Sequence, residues 1–101
     1  MQQAHILIPE HNTIPPLYAA ENDPDPIAHI KLFTPDSNWT WYVTEYSKEE
    51  NLCFGLVVGH ETELGYFSID ELQEVRGPLG LKIERDLHFT PERLSVLKKQ
   101  H

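Results

Sequence analysis

The stretch from Leu64 to Phe89 constrains the fold more than any other, because it holds a capped short helix, a Gly/Pro turn and a long alternating segment in unbroken order. Ser68 followed three residues on by Glu71 reads as a capping box, and Asp70 and Glu71 face the positive end of the helix dipole. Ile69, Leu72 and Val75 recur at helical spacing, so a helix is expected over Ile69 to Val75. Arg76-Gly77-Pro78 then supplies a terminal cation, a C-cap glycine and a residue that cannot continue the helix. With only about two turns, such a helix must pack on something to be stable. Beyond the turn, Leu79, Leu81, Ile83, Leu87 and Phe89 alternate with Lys82, Glu84, Asp86 and His88, the period of a half-buried strand. Arg85 alone breaks the apolar parity.

Earlier in the chain, Ile27 to Thr34 alternates Ala28, Ile30 and Leu32 with His29 and Lys31 and reads as a strand. After the turn Pro35 to Asn38, Trp39 to Tyr46 is rich in aromatic and β-branched residues and forms a second strand. Strict alternation puts Trp39, Trp41 and Val43 on one face and Thr40, Tyr42, Thr44 and Tyr46 on the other. Leu52 to Val58 is apolar on both parities, as expected of a central strand covered on both faces, and Gly55 within it suggests a close backbone approach. A turn at Gly59 to Thr62 leads to a further strand, Leu64 to Phe67. Near the end, Thr90-Pro91 resembles an N-cap with proline at the first helical position, followed by the apolar pair Leu94 and Leu97 and the dipole-compatible Lys98-Lys99. The expected fold class is α+β: a small antiparallel sheet of about four to five strands with one or two short helices. Residues 1–26, with five prolines, are expected to form an arm over a single domain spanning residues 27–101, anchored by Leu17 and Tyr18 and least ordered over the first ten residues or so.

The strings ELGYFSIDELQEVRGPLGLKIERDLHFTP and KLFTPDSNWTWYVTE, with FGLV at Phe54 to Val57, closely resemble the domain-of-unknown-function 2958 family. The resemblance runs from about Ile14 to Pro91. It implies a small accessory protein of bacterial plasmids, integrative elements or phages and carries no established activity with it. The family varies around Trp39 to Tyr42, so any role of those rings is specific to this branch.

The composition is that of a globular chain, with 40% apolar and 24% charged residues. The lone Cys53 lies in an apolar run and has no internal disulfide partner, which suits a reducing cytoplasm. No segment is long and apolar enough for a membrane span, and His5 to Pro9 lacks the basic start of a signal peptide. The net charge of -8 is uneven: residues 1–75 hold thirteen acids against Lys31 and Lys48, whereas residues 76–101 hold three acids against six bases. Affinity for phosphates needs a basic surface, so specific binding of duplex DNA is not expected. The acidity serves solubility, or imitates a nucleic acid.

No residue set dictates a chemistry. His60-Glu61-Thr62-Glu63 is not HExxH, and no His, Cys or Asp pair has ligand spacing on one element, so neither metal nor cofactor is expected. Cys53 reads as buried and Ser68 is accounted for as a cap, which leaves no nucleophile beside a base and favours a non-enzymatic protein. Trp39, Trp41, Tyr42, Tyr46 and Tyr66 have the composition of a stacking platform, although core packing accounts for at least two of them equally well. Tyr42, Tyr46 and Glu45 also suit an interaction surface. Arg85 requires a partner if its strand is half-buried, and Glu45, Glu63 and Asp70 are the candidates. The candidate binding residues are therefore Arg85, Glu45, Trp39, Trp41, Tyr42, Tyr66 and His88. Three classes remain open: an accessory protein that binds another protein, a small-ligand or nucleotide-binding domain around Arg85 and the aromatic strand, and a nucleic-acid module using the basic tail.

Overall fold

The aromatic and β-branched run Thr40–Ser47 (β3) forms the middle of a five-stranded antiparallel sheet in the computed structural model, which describes residues 5–101. β3 is flanked by Ile30–Phe33 (β2) and Leu52–Val58 (β4), and the edges are Thr62–Ser68 (β5) and Glu84–Arg85 (β6), in the order β5-β4-β3-β2-β6. A two-stranded sheet pairs Ile27–Ala28 (β1) with Glu92–Arg93 (β7). The α+β class is as expected. The strand anticipated from Ile27 is divided at His29, whose N–H donates to the Val43 carbonyl at 2.8 Å.

The sheet is covered on both faces. One face carries Ile30, Leu32, Trp41, Val43, Cys53 and Phe67, packed with Leu7, Ile83 and the helix Ile69–Glu74 (α1) through Ile69 and Leu72. The other carries Tyr42, Leu56 and Val58, packed with Ala28 and the helix Leu94–Lys99 (α2) through Leu94 and Leu97. Double coverage explains why β4 is apolar on both parities: Cys53 serves the first core, Leu56 and Val58 the second. Strict alternation fails in β3. The register passes from Val43↔Gly55 to Glu45↔Phe54, so Thr44 is an extra residue in a β-bulge, with its hydroxyl donating to the Phe54 carbonyl at 3.0 Å. Past the bulge the faces exchange, and Tyr46 packs with the Trp41 and Val43 core rather than with Tyr42. Gly55 sits opposite the bulge, where a Cβ would overlap the Tyr42 carbonyl oxygen.

The α1 cap is as read: Ser68 Oγ accepts from the Glu71 N–H at 3.2 Å. The other end differs, because Val75 is already extended and Arg76 closes the helix by donating to the Gln73 and Val75 carbonyls, both at 2.9 Å. Gly77 is no C-cap. It lies against the Asp36 carboxylate, which accepts from the Leu79 N–H at 2.7 Å and holds the turn through Gly80, φ 80°. That turn undoes the long strand expected from Leu79 to Phe89. Only Glu84 and Arg85 pair, with Phe33 and Leu32, and Lys82 bridges to Arg76. Leu79, Leu81 and Leu87 are exposed while Ile83 is buried. β2 offers only a short outer edge, and the Asp86 N–H ends the pairing on the Lys31 carbonyl at 2.9 Å.

The helix expected from Pro91 starts instead at Leu94, because Glu92 and Arg93 are drawn into the ladder with β1. Asp25 supplies the missing cap: its carboxylate accepts from the Ser95 N–H at 2.9 Å and from the Ser95 hydroxyl at 2.7 Å. Nor is the N-terminal segment anchored as anticipated, since Leu17 is half-buried and Tyr18 exposed, while Leu7 enters the first core. The reduced order expected near the N-terminus falls partly on residues 1–4, outside the described residues.

Candidate binding groove

Glu45 is the residue that the bulge displaces. An acid in the middle strand would be costly to bury unless its oxygens were satisfied, and here both are. At 4% exposure, Glu45 accepts from the Tyr18 N–H through Oε1 at 2.9 Å and from the Ala20 N–H through Oε2 at 2.7 Å. The pair of bonds clasps the chain where Tyr18 takes φ 72°, a conformation unfavourable for a large side chain. Asp25 makes a second clasp farther along by capping α2, and its Ser95 hydrogen bonds hold its carboxyl below the usual range.

Between these two clasps and the face of β4 and β5 lies a groove of about 500 Å³, lined among others by Tyr18, Pro24, Phe54, Leu64, Tyr66 and Lys98. Phe54 and Tyr66 meet edge to face with centroids 4.8 Å apart. Tyr18, Leu64 and Tyr66 are each at least half exposed, at 63%, 51% and 52%. A hydrogen bond with the Tyr18 side chain raises the Tyr66 phenol above its ordinary pKa, reinforced by partial burial and by Glu45 and Glu21.

Of the residues singled out in the sequence, only Glu45 and Tyr66 meet in this groove. Trp39 and Trp41 lie across the sheet, stacked at 6.0 Å, with Trp41 in the first core and Trp39 packed against it. Tyr42 is buried under α2, its hydroxyl 2.7 Å from His101 Nε2, and presents no ring to solvent. Arg85 lies at the opposite sheet edge from Glu63, beside a separate cavity of about 250 Å³ that includes His29, Asp86 and Phe89. Glu45 is engaged by the chain at Tyr18 and Ala20, and Asp70 accepts from Asn51 at 3.0 Å, so the expected carboxylates are committed elsewhere. His88 is exposed in a turn closed by its N–H on Asp86 at 2.9 Å. Tyr18, Asp25, Phe54 and Leu64 are not among the candidate binding residues read from the sequence. Leu64 and Tyr66 share a parity in β5, which was a usable signal, but the contact of Tyr18 with Glu45 spans 27 residues and left none.

Among the described residues no group of three or more His, Cys, Asp or Glu could hold a metal ion, and no helix is long and apolar enough to cross a membrane. Fold and groove together define a small α+β protein in which, among the described residues, one edge of the sheet is unpaired beside an apolar, acid-rimmed cleft. The chain matches the family described as protein of unknown function (DUF2958) over residues 2–100, and it belongs to that family. No curated protein and no solved structure matches it.

Proposed function

We propose that this chain is a non-enzymatic accessory protein of a bacterial mobile element that acts by binding another protein, and that the groove between the Tyr18–Ala20 clasp, β4–β5 and α2 is its contact surface. The observation that carries the reading is the grouping of Tyr18, Leu64 and Tyr66, all exposed, around the half-buried Phe54. Clustered apolar and aromatic side chains at the surface of a small domain mark interaction sites, and tyrosine is enriched there. The mobile-element setting, and host defence as a target, follow the family resemblance. A pull-down from the bacterial host with the wild type and with a Leu64→Lys, Tyr66→Ser variant tests the reading. One stoichiometric protein, retained after nuclease treatment and lost with the variant, is expected; equal recovery by the variant, or nuclease-sensitive recovery, refutes it.

A small-ligand site is the second reading, favoured by the groove volume of about 500 Å³, which lies within the usual range for ligand pockets. Against it, both Glu45 oxygens are already spent on backbone N–H groups, which leaves little to orient a small polar ligand. Native mass spectrometry separates the two, since a bound small molecule adds a discrete mass to the purified chain.

A further inference from the structure

β5 is an edge strand of seven residues that pairs only with β4 among the described residues. Two hydrogen bonds fix the phase of that ladder. The Ile69 N–H donates to the Asn51 carbonyl and the Gly59 N–H to the Glu61 carbonyl, both at 3.0 Å. In an antiparallel pair the bonded positions alternate, so Cys53↔Phe67, Gly55↔Gly65 and Val57↔Glu63 are the bonded pairs. The N–H and C=O groups of Leu64 and Tyr66 therefore point outward, away from β4. Their side chains line the groove. One pair of residues thus offers both the backbone groups that a further strand would bond and the side chains against which it would pack.

Natural edges are usually blunted by lysine, proline or a covering segment. The sequence of β5, TELGYFS, has neither lysine nor proline, and a Cβ added at Gly65 would meet nothing within 4 Å. The only charge in the strand is the exposed Glu63, whose side chain lies on the face opposite Leu64 and Tyr66. Glu61 is exposed in the turn before β5, and the exposed Glu21 and Asp23 stand on the groove rim. Acids thus border the edge on both faces. Self-association of a chain with net charge -8 is disfavoured, whereas a basic strand is attracted.

We infer that β5 accepts an extended peptide as a sixth strand, antiparallel to β5, with apolar side chains at alternate positions entering the groove and Lys or Arg at the intervening ones facing Glu63 and Glu61. This rests on the reading of the groove as a protein-binding surface and specifies the partner: a segment of another protein that is extended, alternating and basic. Backbone bonds to Leu64 and Tyr66 supply affinity, and the alternate pockets and acids supply selectivity.

The probe is a fluorescent peptide of about eight residues alternating Val and Lys, long enough to span an edge of this size. Fluorescence anisotropy compares it with a Val/Glu peptide and with a Val/Lys peptide N-methylated at the valines opposite Leu64 and Tyr66. The Val/Lys peptide is expected to bind, and the Val/Glu peptide and the N-methylated peptide are each expected to bind roughly tenfold more weakly or worse. Tyr66→Pro provides the reciprocal test, because the lost N–H is not part of the β4 ladder, and is expected to abolish binding. The N-methylated peptide keeps the test valid if that variant fails to fold. Binding that tolerates N-methylation overturns strand addition while leaving the groove reading intact. Equal binding of the Val/Glu peptide overturns the basic partner. No binding of the Val/Lys peptide, or a dimer in solution that occupies β5, overturns the proposal as a whole, and the pull-down then judges the groove separately.

Discussion

Replacing Glu45 with Gln removes little volume and one charge, and the structure sets the size of the effect. Glu45 is 4% exposed, and each of its oxygens accepts one backbone N–H, from Tyr18 at 2.9 Å and from Ala20 at 2.7 Å. A carboxamide has only one acceptor oxygen; its NH2 would set a donor against whichever N–H it met. One charge-assisted bond becomes a neutral bond and the other becomes a clash of donors, together a loss of at least about 2 kcal/mol. For a domain of this size, 2 kcal/mol corresponds to a Tm lower by roughly 8–16 °C. Circular dichroism melting reads the global loss, and amide exchange at Tyr18 and Ala20 reads the local one, where protection should fall by about thirtyfold. A Tm within roughly 2 °C of wild type, with exchange at both amides unchanged, would refute the clasp.

Gly55→Ala should cost about 3 kcal/mol or more in urea denaturation, because its Cβ would overlap the Tyr42 carbonyl, whereas Gly65→Ala, with open space around the new Cβ, should lie within about 0.5 kcal/mol of wild type. Cys53 is fully buried, and burial pushes its thiol up to about 12, so a disulfide reagent should label it only on unfolding; rapid labelling of the native protein at mildly alkaline pH contradicts the packing. Asp25 has a folded pKa below the ordinary 3.8, so the stability it contributes is present above that pH and lost as pH falls through the folded value. An Asp25→Asn variant should therefore show a shallower acid-unfolding slope below pH 3.8, and an identical slope would exclude the α2 cap as its source. In a gel-shift assay the chain, with net charge -8, should show no specific binding to duplex DNA at physiological salt; salt-sensitive submicromolar binding would contradict that.

Local signals in the sequence marked most elements, and failed where the outcome depended on a distant partner. Ser68 and Glu71 placed the start of α1 because a cap is settled within one turn. The apolar parities of Leu52–Val58 disclosed an internal strand because both faces of the sheet are covered. By contrast, Leu79 to Phe89 alternates except at Arg85 yet places only Glu84 and Arg85 in the five-stranded sheet, because alternation makes a strand possible and a neighbouring edge makes it real. Asp36, more than forty residues away, diverts the chain at Leu79 before that edge is reached. The candidate site suffered from the same blindness. Glu45 was noticed as an acid among aromatics, but the bulge at Thr44 moved it to the opposite face and away from Arg85. Nothing local announces a bulge at Thr44, whose hydroxyl bonds the Phe54 carbonyl across the ladder.

Glu45 belongs to two structures at once, the clasp that holds the Tyr18–Ala20 segment and the wall of the groove. Docking of that segment and occupation of the groove are therefore thermodynamically linked, and linkage is reciprocal. Whatever factor an occupant gains in affinity from a docked segment, it returns as an equal factor in the equilibrium for docking. A partner would protect the segment from proteolysis by as much as opening the segment weakens the partner, and one carboxylate would set the strength of both.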